Sequence, residues 1–178
     1  MRINHKKLLN SKIINQILNH PKNFFIVLIL ILVTLFTKEY IVNPQSLEVK
    51  VVKVIDGDTI NVLEGNKIVK IRLFGIDAPE SKQEFGIESK NFLASMIGDK
   101  KIRIIYKDKD KYGRILALIK FEDKDINKIM VNTGHAWAYS YYSDMYLREQ
   151  KLAQEKKLGL WKNKNPLEPY KWRKQNRF

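Results

Sequence analysis

LEVKVVKVIDGDTINVLEGNKIVKIRLFG, residues Leu47–Gly75, holds three short runs of β-branched and apolar residues separated by two turn signals. Leu47–Val54 alternates in part, Asp56-Gly57-Asp58 supplies a turn, and Thr59–Leu63 resumes the strand. Glu64-Gly65-Asn66 makes the second turn, and Lys67–Gly75 is the third run. Short runs of this kind, bounded by Asp, Asn and Gly, read as an antiparallel meander.

Downstream, EFGIESKNFLASMI (Glu84–Ile97) spaces Phe85, Ile87, Phe92, Leu93 and Met96 near the helical period and stops at Gly98 as a C-cap. Lys101–Lys107 and Arg114–Phe121 are the fourth and fifth strands, and Asp125 caps a short helix that runs through Val131 and is stopped by Gly134. Tyr146–Lys157 is the last helix, with Leu147, Leu152 and Ala153 on one side. The expected fold class is α+β, mainly β: a five-stranded OB-type barrel capped by about three helices. One N-terminal membrane or signal helix precedes it.

That helix is read from Phe24–Phe36, thirteen residues without a charge, preceded by Arg2, Lys6, Lys7, Lys12 and Lys22. A basic flank before an apolar run is an export pattern. Thirteen helical residues span about 20 Å against a hydrocarbon core of about 30 Å, so a crossing would have to extend to Val42. No small-x-small pair follows the run closely, which favours an uncleaved signal anchor over a cleaved signal peptide. The expected organisation is a basic cytoplasmic segment over 1–23, an anchor or signal over 24–42, a linker over 43–46 and one domain over 47–178. The domain would lie outside the cytoplasm, anchored by a single pass, or be secreted or periplasmic if the signal is cut.

The formal charge is +14, and only six of the 33 basic and one of the 19 acidic residues precede Leu47. An excess of nine positive charges therefore stays with the domain and suits a polyanion, either nucleic acid or an anionic membrane surface. With no cysteine there is no disulfide and no thiolate metal site. His5, His20 and His135 show no ligand spacing.

Three segments carry candidate chemistry. Asp58, in the DGD turn, is ordinary hairpin chemistry alone. IRLFGIDAPE adds Arg72, Asp77 and Glu80 at the end of a strand otherwise built for burial. Two carboxylates brought together from neighbouring strand ends supply the oxygen ligands a hard cation needs, and without a cation their repulsion would be unfavourable. Glu80 follows Pro79, whose fixed φ can hold a general base in one place, and Arg72 offers a planar fork to a phosphate. In DKDKYGR, Arg114 is a second clamp, while Lys111 and Tyr112 are placed to hold phosphate and base. An EF-hand reading of that segment fails, because Tyr112 and Ile119 occupy the fifth and twelfth positions.

VIDGDTINV, IRLFGIDAPE, QEFGIESKNFL, DKYGRILA, VNTGHAWAYSYY and KLGLWKNKNPLEPYKWR together resemble the thermonuclease (staphylococcal nuclease-like) family, from about Val51 to Arg173. The resemblance implies a calcium-dependent endonuclease that hydrolyses DNA or RNA to a 3′-phosphate and a 5′-hydroxyl. Carried over, the metal ligands fall on Asp58, Asp77 and the main-chain carbonyl of Ala78. The general base falls on Glu80, and the phosphate-clamping arginines on Arg72 and Arg114. Lys111, Tyr112 and Tyr142 fall on nucleotide-contacting positions. Ser140 stands where a second tyrosine is expected, with Tyr139 or Tyr141 as substitutes. A non-catalytic nucleic-acid-binding module is the alternative, but such a module would be expected to lack one or more of these five charged groups. A monomer is expected, with no obligate protein partner.

Overall fold

A computed structural model describes residues 21–42 and 46–176, with side chains described for 22–35 and 46–176. The chain divides into two units, Met1–Pro44 and Gln45–Phe178. In the first, Pro21–Val42 forms helix α1. The side chains of Phe24–Val33 and Leu35 are exposed. Lys22 on one side and Lys38 and Glu39 on the other bound its apolar stretch, and among the described residues no helix is long and apolar enough to cross a membrane. The expected single-pass helix therefore finds no support here. The basic stretch over 1–20 and most of the linker, 43–45, lie outside the described residues.

In the second unit the meander forms β1 (Ser46–Val54), β2 (Thr59–Glu64) and β3 (Lys67–Leu73). Glu64 pairs with Lys67 across Gly65-Asn66, and Gly65 sits at φ 57, the conformation a tight hairpin asks of its first central residue. The expected third strand ends two residues early. Gly75, at φ 75, turns the chain into a separate two-residue strand β4 (Ile76–Asp77). Helix α2 (Gly86–Ile97) then leads to β5 (Lys101–Lys109) and β6 (Ile115–Phe121). The sheet order is β3-β2-β1-β5-β6, and a parallel pairing of Ile71–Leu73 with Ile115–Ala117 closes it into a five-stranded barrel. Register shifts between Val51 and Lys53 and between Tyr106 and Asp108 supply the local bends that closure needs. A short β7 (Lys124–Asp125) adds to β6.

Alternation along the strands sends Val49, Val51, Ile60, Val62, Ile71, Leu73, Ile102, Ile104 and Ile119 into one core. Helix α3 (Ile126–Asn132) begins at Asp125, whose carboxylate accepts from Lys128 N, as its sequence indicates. From it the buried Asn127 donates to Phe74 O at 2.9 Å and Ala117 O at 3.2 Å and accepts from Ile119 N, so it pins the chain beyond β3 to β6. Then come β8 (Trp137–Ala138), which pairs with β4, and α4 (Leu147–Glu155). A 3₁₀ turn spans Gly159–Lys162, and α5 covers Pro169–Gln175.

Three sequence expectations are corrected. Helix α2 buries Gly86, Ser89, Leu93 and Ile97 while Ile87 is exposed, because the face against the barrel is the one that carries Ser89, whose hydroxyl donates to His135 O. On α4 only Ala153 is buried, and Leu147 and Leu152 remain at the surface. Among the described residues the domain carries four helices and a 3₁₀ turn rather than about three. The added helix, α5, has Pro169 in its first turn, a start signal that the short Lys-rich context obscures.

Candidate active site

Two carboxylates lie at one end of the barrel. Asp58 stands just before β2, held by its carbonyl, which accepts from Leu73 N at 2.8 Å. Asp77 is on β4, opposite Trp137 of β8. Both side chains are buried, each residue 2% exposed. Arg72, opposite Thr59 in the β2–β3 register, sends one guanidinium nitrogen to Asp58 Oδ1 and the other to Asp77 Oδ1 at 2.7 Å. Asp58 also accepts from Thr59 Oγ1 at 3.0 Å and from Ala78 N at 2.7 Å. Burial of two like charges is tolerable because a guanidinium bridges them and hydrogen bonds take up their lone pairs.

Two glycines let these segments approach. A Cβ on Gly57 would overlap Ser89 of α2 and the Ala78 side chain, so the DGD turn can lie against the 76–80 segment only with glycine there. A Cβ on Gly86 would run into the Glu80 carbonyl, so the start of α2 packs on Glu80's backbone for the same reason. Ser89 Oγ in turn donates to His135 O at 2.6 Å. Burial holds the His135 imidazole down at about 4, and its ring stacks on Phe92 at 3.8 Å.

Glu80 is about one-third exposed, with its backbone N–H on Gln83 Oε1 at 3.2 Å. Its carboxylate accepts from Arg173 of α5, at 2.9 Å. The same guanidinium makes two bonds to Asp77, at 3.1 Å to Oδ1 and 2.9 Å to Oδ2. Burial works against the Arg173 charge, but the hydrogen bonds and charges of Asp77 and Glu80 outweigh it and raise its pKa above the ordinary value. Sequence reasoning assigned Arg173 no role. Its one signal was the basic PYKWRK run, which no spacing ties to the acids.

Asp58, Arg72, Asp77 and Glu80 are thus brought together, and the Ala78 backbone lies against Asp58. Arg114, Lys111, Tyr112 and Tyr142 do not touch that cluster but line the same cleft, of about 1470 Å³. Arg114 is anchored by Asp110, which accepts from its Nε at 2.6 Å and from the backbone N–H groups of Tyr112 and Arg114 at 2.9 Å. Burial would raise the Asp110 carboxyl, yet these hydrogen bonds hold it below its usual value. Arg114 and Lys111 both lie over the Tyr112 ring, at 5.7 and 5.0 Å. Tyr139, Tyr141 and Tyr142 also line the cleft and pack ring against ring at 5.1–6.0 Å, with Tyr141 and Tyr142 exposed. Burial, then the charge of Asp77, raises the Tyr139 hydroxyl above its usual range.

Among the described residues no three His, Cys, Asp or Glu side chains converge on one point. The donors at the floor are oxygens, those of two buried carboxylates, each held by an arginine. That set fits a hard divalent cation with water completing its shell, and the bridging guanidinium shows that the position calls for positive charge.

Buried acids at the barrel's strand ends and arginines around an open cleft make a site whose charges suit a phosphate group. The family model described as staphylococcal nuclease homologue matches residues 70–163. A Haemophilus influenzae protein described as an uncharacterized endonuclease is 42% identical over 155 residues, covering 85% of this chain and 87% of its own length. An Escherichia coli protein of the same description is 42% identical over 70% of this chain and 83% of its own. The micrococcal nuclease of Shigella flexneri is 38% identical over 72% of this chain and 81% of its own. The chain belongs to the staphylococcal nuclease family.

Proposed function

We propose that the domain is a phosphodiester-hydrolysing endonuclease that cuts DNA or RNA in a calcium-dependent reaction. The observation that carries this reading is the buried Asp58–Asp77 pair with Arg72 and Glu80 beside it, opening on a cleft walled by Arg114, Lys111 and tyrosines. Asp58, Asp77 and the Ala78 carbonyl are the residues that would hold the ion. When bound, calcium supplies Lewis-acid stabilisation of a phosphate oxygen.

Glu80, partly exposed at the mouth of the acidic pair, takes the proton from the attacking water. Arg114 has its Nε tied to Asp110, which leaves its two terminal nitrogens to face a phosphate in the cleft. Arg72, bridging the carboxylates at the floor of the cleft, stabilises the negative charge that builds on the five-coordinate phosphorus. Lys111, Tyr112 and Tyr142 meet the flanking backbone and bases, with Tyr139 and Tyr141 adding stacking surface. All five charged groups come from one chain, so a monomer suffices. The basic segment ahead of α1 supports export, with the domain outside the cytoplasm whether the apolar helix is kept or cut.

Single-stranded DNA incubated with the full chain, in calcium or in excess chelator, tests the reading. Hydrolysis in calcium alone, leaving ends sensitive to a 3′-phosphatase, is expected. Full hydrolysis in chelator would remove the calcium requirement, and none in either condition would remove the enzyme. For location, protease added to intact spheroplasts should digest the domain, and protection until lysis would reverse the orientation.

A further inference from the structure

We propose that Arg173 is a positioning residue for the hydrolytic reaction, holding the Glu80 carboxylate against the acidic floor so that it faces the attacking water. This rests on the nuclease reading above. Glu80 sits on a loop, one-third exposed, and its chain direction is fixed by Pro79 and by the Gln83 contact to its backbone. Neither of those contacts fixes the side chain. Arg173 does, because one nitrogen of its guanidinium bonds both Glu80 Oε1 at 2.9 Å and Asp77 Oδ1 at 3.1 Å, while the other takes Asp77 Oδ2 at 2.9 Å. The planar fork turns a flexible acid into one edge of a rigid triangle whose other corner is the buried Asp77.

The fork is itself held in place. Helix α5 is docked beside the site by Gln83 Nε2, which donates to Leu167 O at 2.6 Å, so one glutamine steadies both the Glu80 loop and the approach to α5. Arg173 is half-buried rather than free in solvent. A group that places a general base within the reach of its proton contributes through geometry, and small displacements of such a base cost large factors in rate.

Arg173 also sits on Asp77, which makes a second outcome possible: a guanidinium that merely occupies the cation position and must leave. The two roles give opposite readouts. With the full chain, calcium affinity is measured by titration calorimetry and kcat and KM on single-stranded DNA at saturating calcium. Positioning requires that Arg173→Ala lower kcat by about 10-fold or more, with KM within about 3-fold and calcium binding equal to or tighter than wild type, since a competing charge has gone. Arg173→Lys, which keeps a cation but not the fork, should fall between the two and guards against misfolding of the alanine variant.

Unchanged or raised kcat in Arg173→Ala would overturn the inference, as would a loss of activity matched by a loss of calcium binding in both variants. An inactive wild-type protein would instead overturn the nuclease reading itself.

Discussion

The floor and the rim of the cleft are built by different physics. On the floor, Asp58 and Asp77 are each 2% exposed; Asp58 is held by Thr59, Arg72 and the Ala78 backbone, and Asp77 is shared between Arg72 of β3 and Arg173 of α5. On the rim, Tyr112 is 73% and Tyr141 80% exposed, and the 110–114 segment is organised by its own turn, with Asp110 accepting from the residues that follow it. The floor is therefore coupled to folding, while the rim is a local structure that can be altered without cost to the core. Substitutions in the two regions should separate activity from stability in opposite ways.

Asp77→Ala should be the most severe. It removes a buried acceptor of three arginine bonds, so stability in urea should fall by about 3 kcal/mol or more, and turnover by about 10³-fold or more as phosphate charge stabilisation is lost. Loss of activity with unchanged urea midpoint would show that the floor is not coupled to the fold. Glu80→Gln, at the edge of the floor, and Arg114→Ala, on the rim, come next. Each should lower kcat by about 10² while leaving the urea midpoint nearly unchanged. Arg114→Lys should recover little, because the lysine cannot fork, and full activity in that variant would dismiss the clamp.

Tyr141→Ala tests the rim alone. It should raise KM for single-stranded DNA by about 5-fold, the scale of one stacked base, with stability within about 0.5 kcal/mol of wild type. A large stability loss there would mean that the tyrosine cluster is structural.

The last effect concerns the packing behind the floor. Burial depresses His135 to about 4 in the folded chain, below the ordinary 6.5, so the unfolded chain binds the proton first. Its contribution is present above about 6.5 and is lost as pH falls toward 4. The drop in Tm between pH 7 and pH 4.5 should be smaller in His135→Phe than in wild type, and an equal drop would exclude His135 as a source of acid sensitivity.

Much of this was legible in advance. Strand alternation across Leu47–Gly75 and two turn signals locate the meander to within a residue or two, since the side-chain period and the turn residues are local properties. The Asp125 cap is likewise local. Ile87 and the α4 leucines were misread because a helical period does not say which face a packed neighbour will cover. The break at Gly75 that separates β4 from β3 depended on β8, a pairing partner about sixty residues further on.

The sequence by itself determined that a small, basic, mainly β domain would carry two aspartates, a glutamate and two arginines in spaced motifs, because those are properties of neighbouring residues. Only the tertiary structure decided that Arg72 bridges the two aspartates and that Arg173, 96 positions from Asp77, reaches both Asp77 and Glu80. Contacts between distant segments depend on barrel closure and on where α5 docks, and neither leaves a periodic trace in the chain.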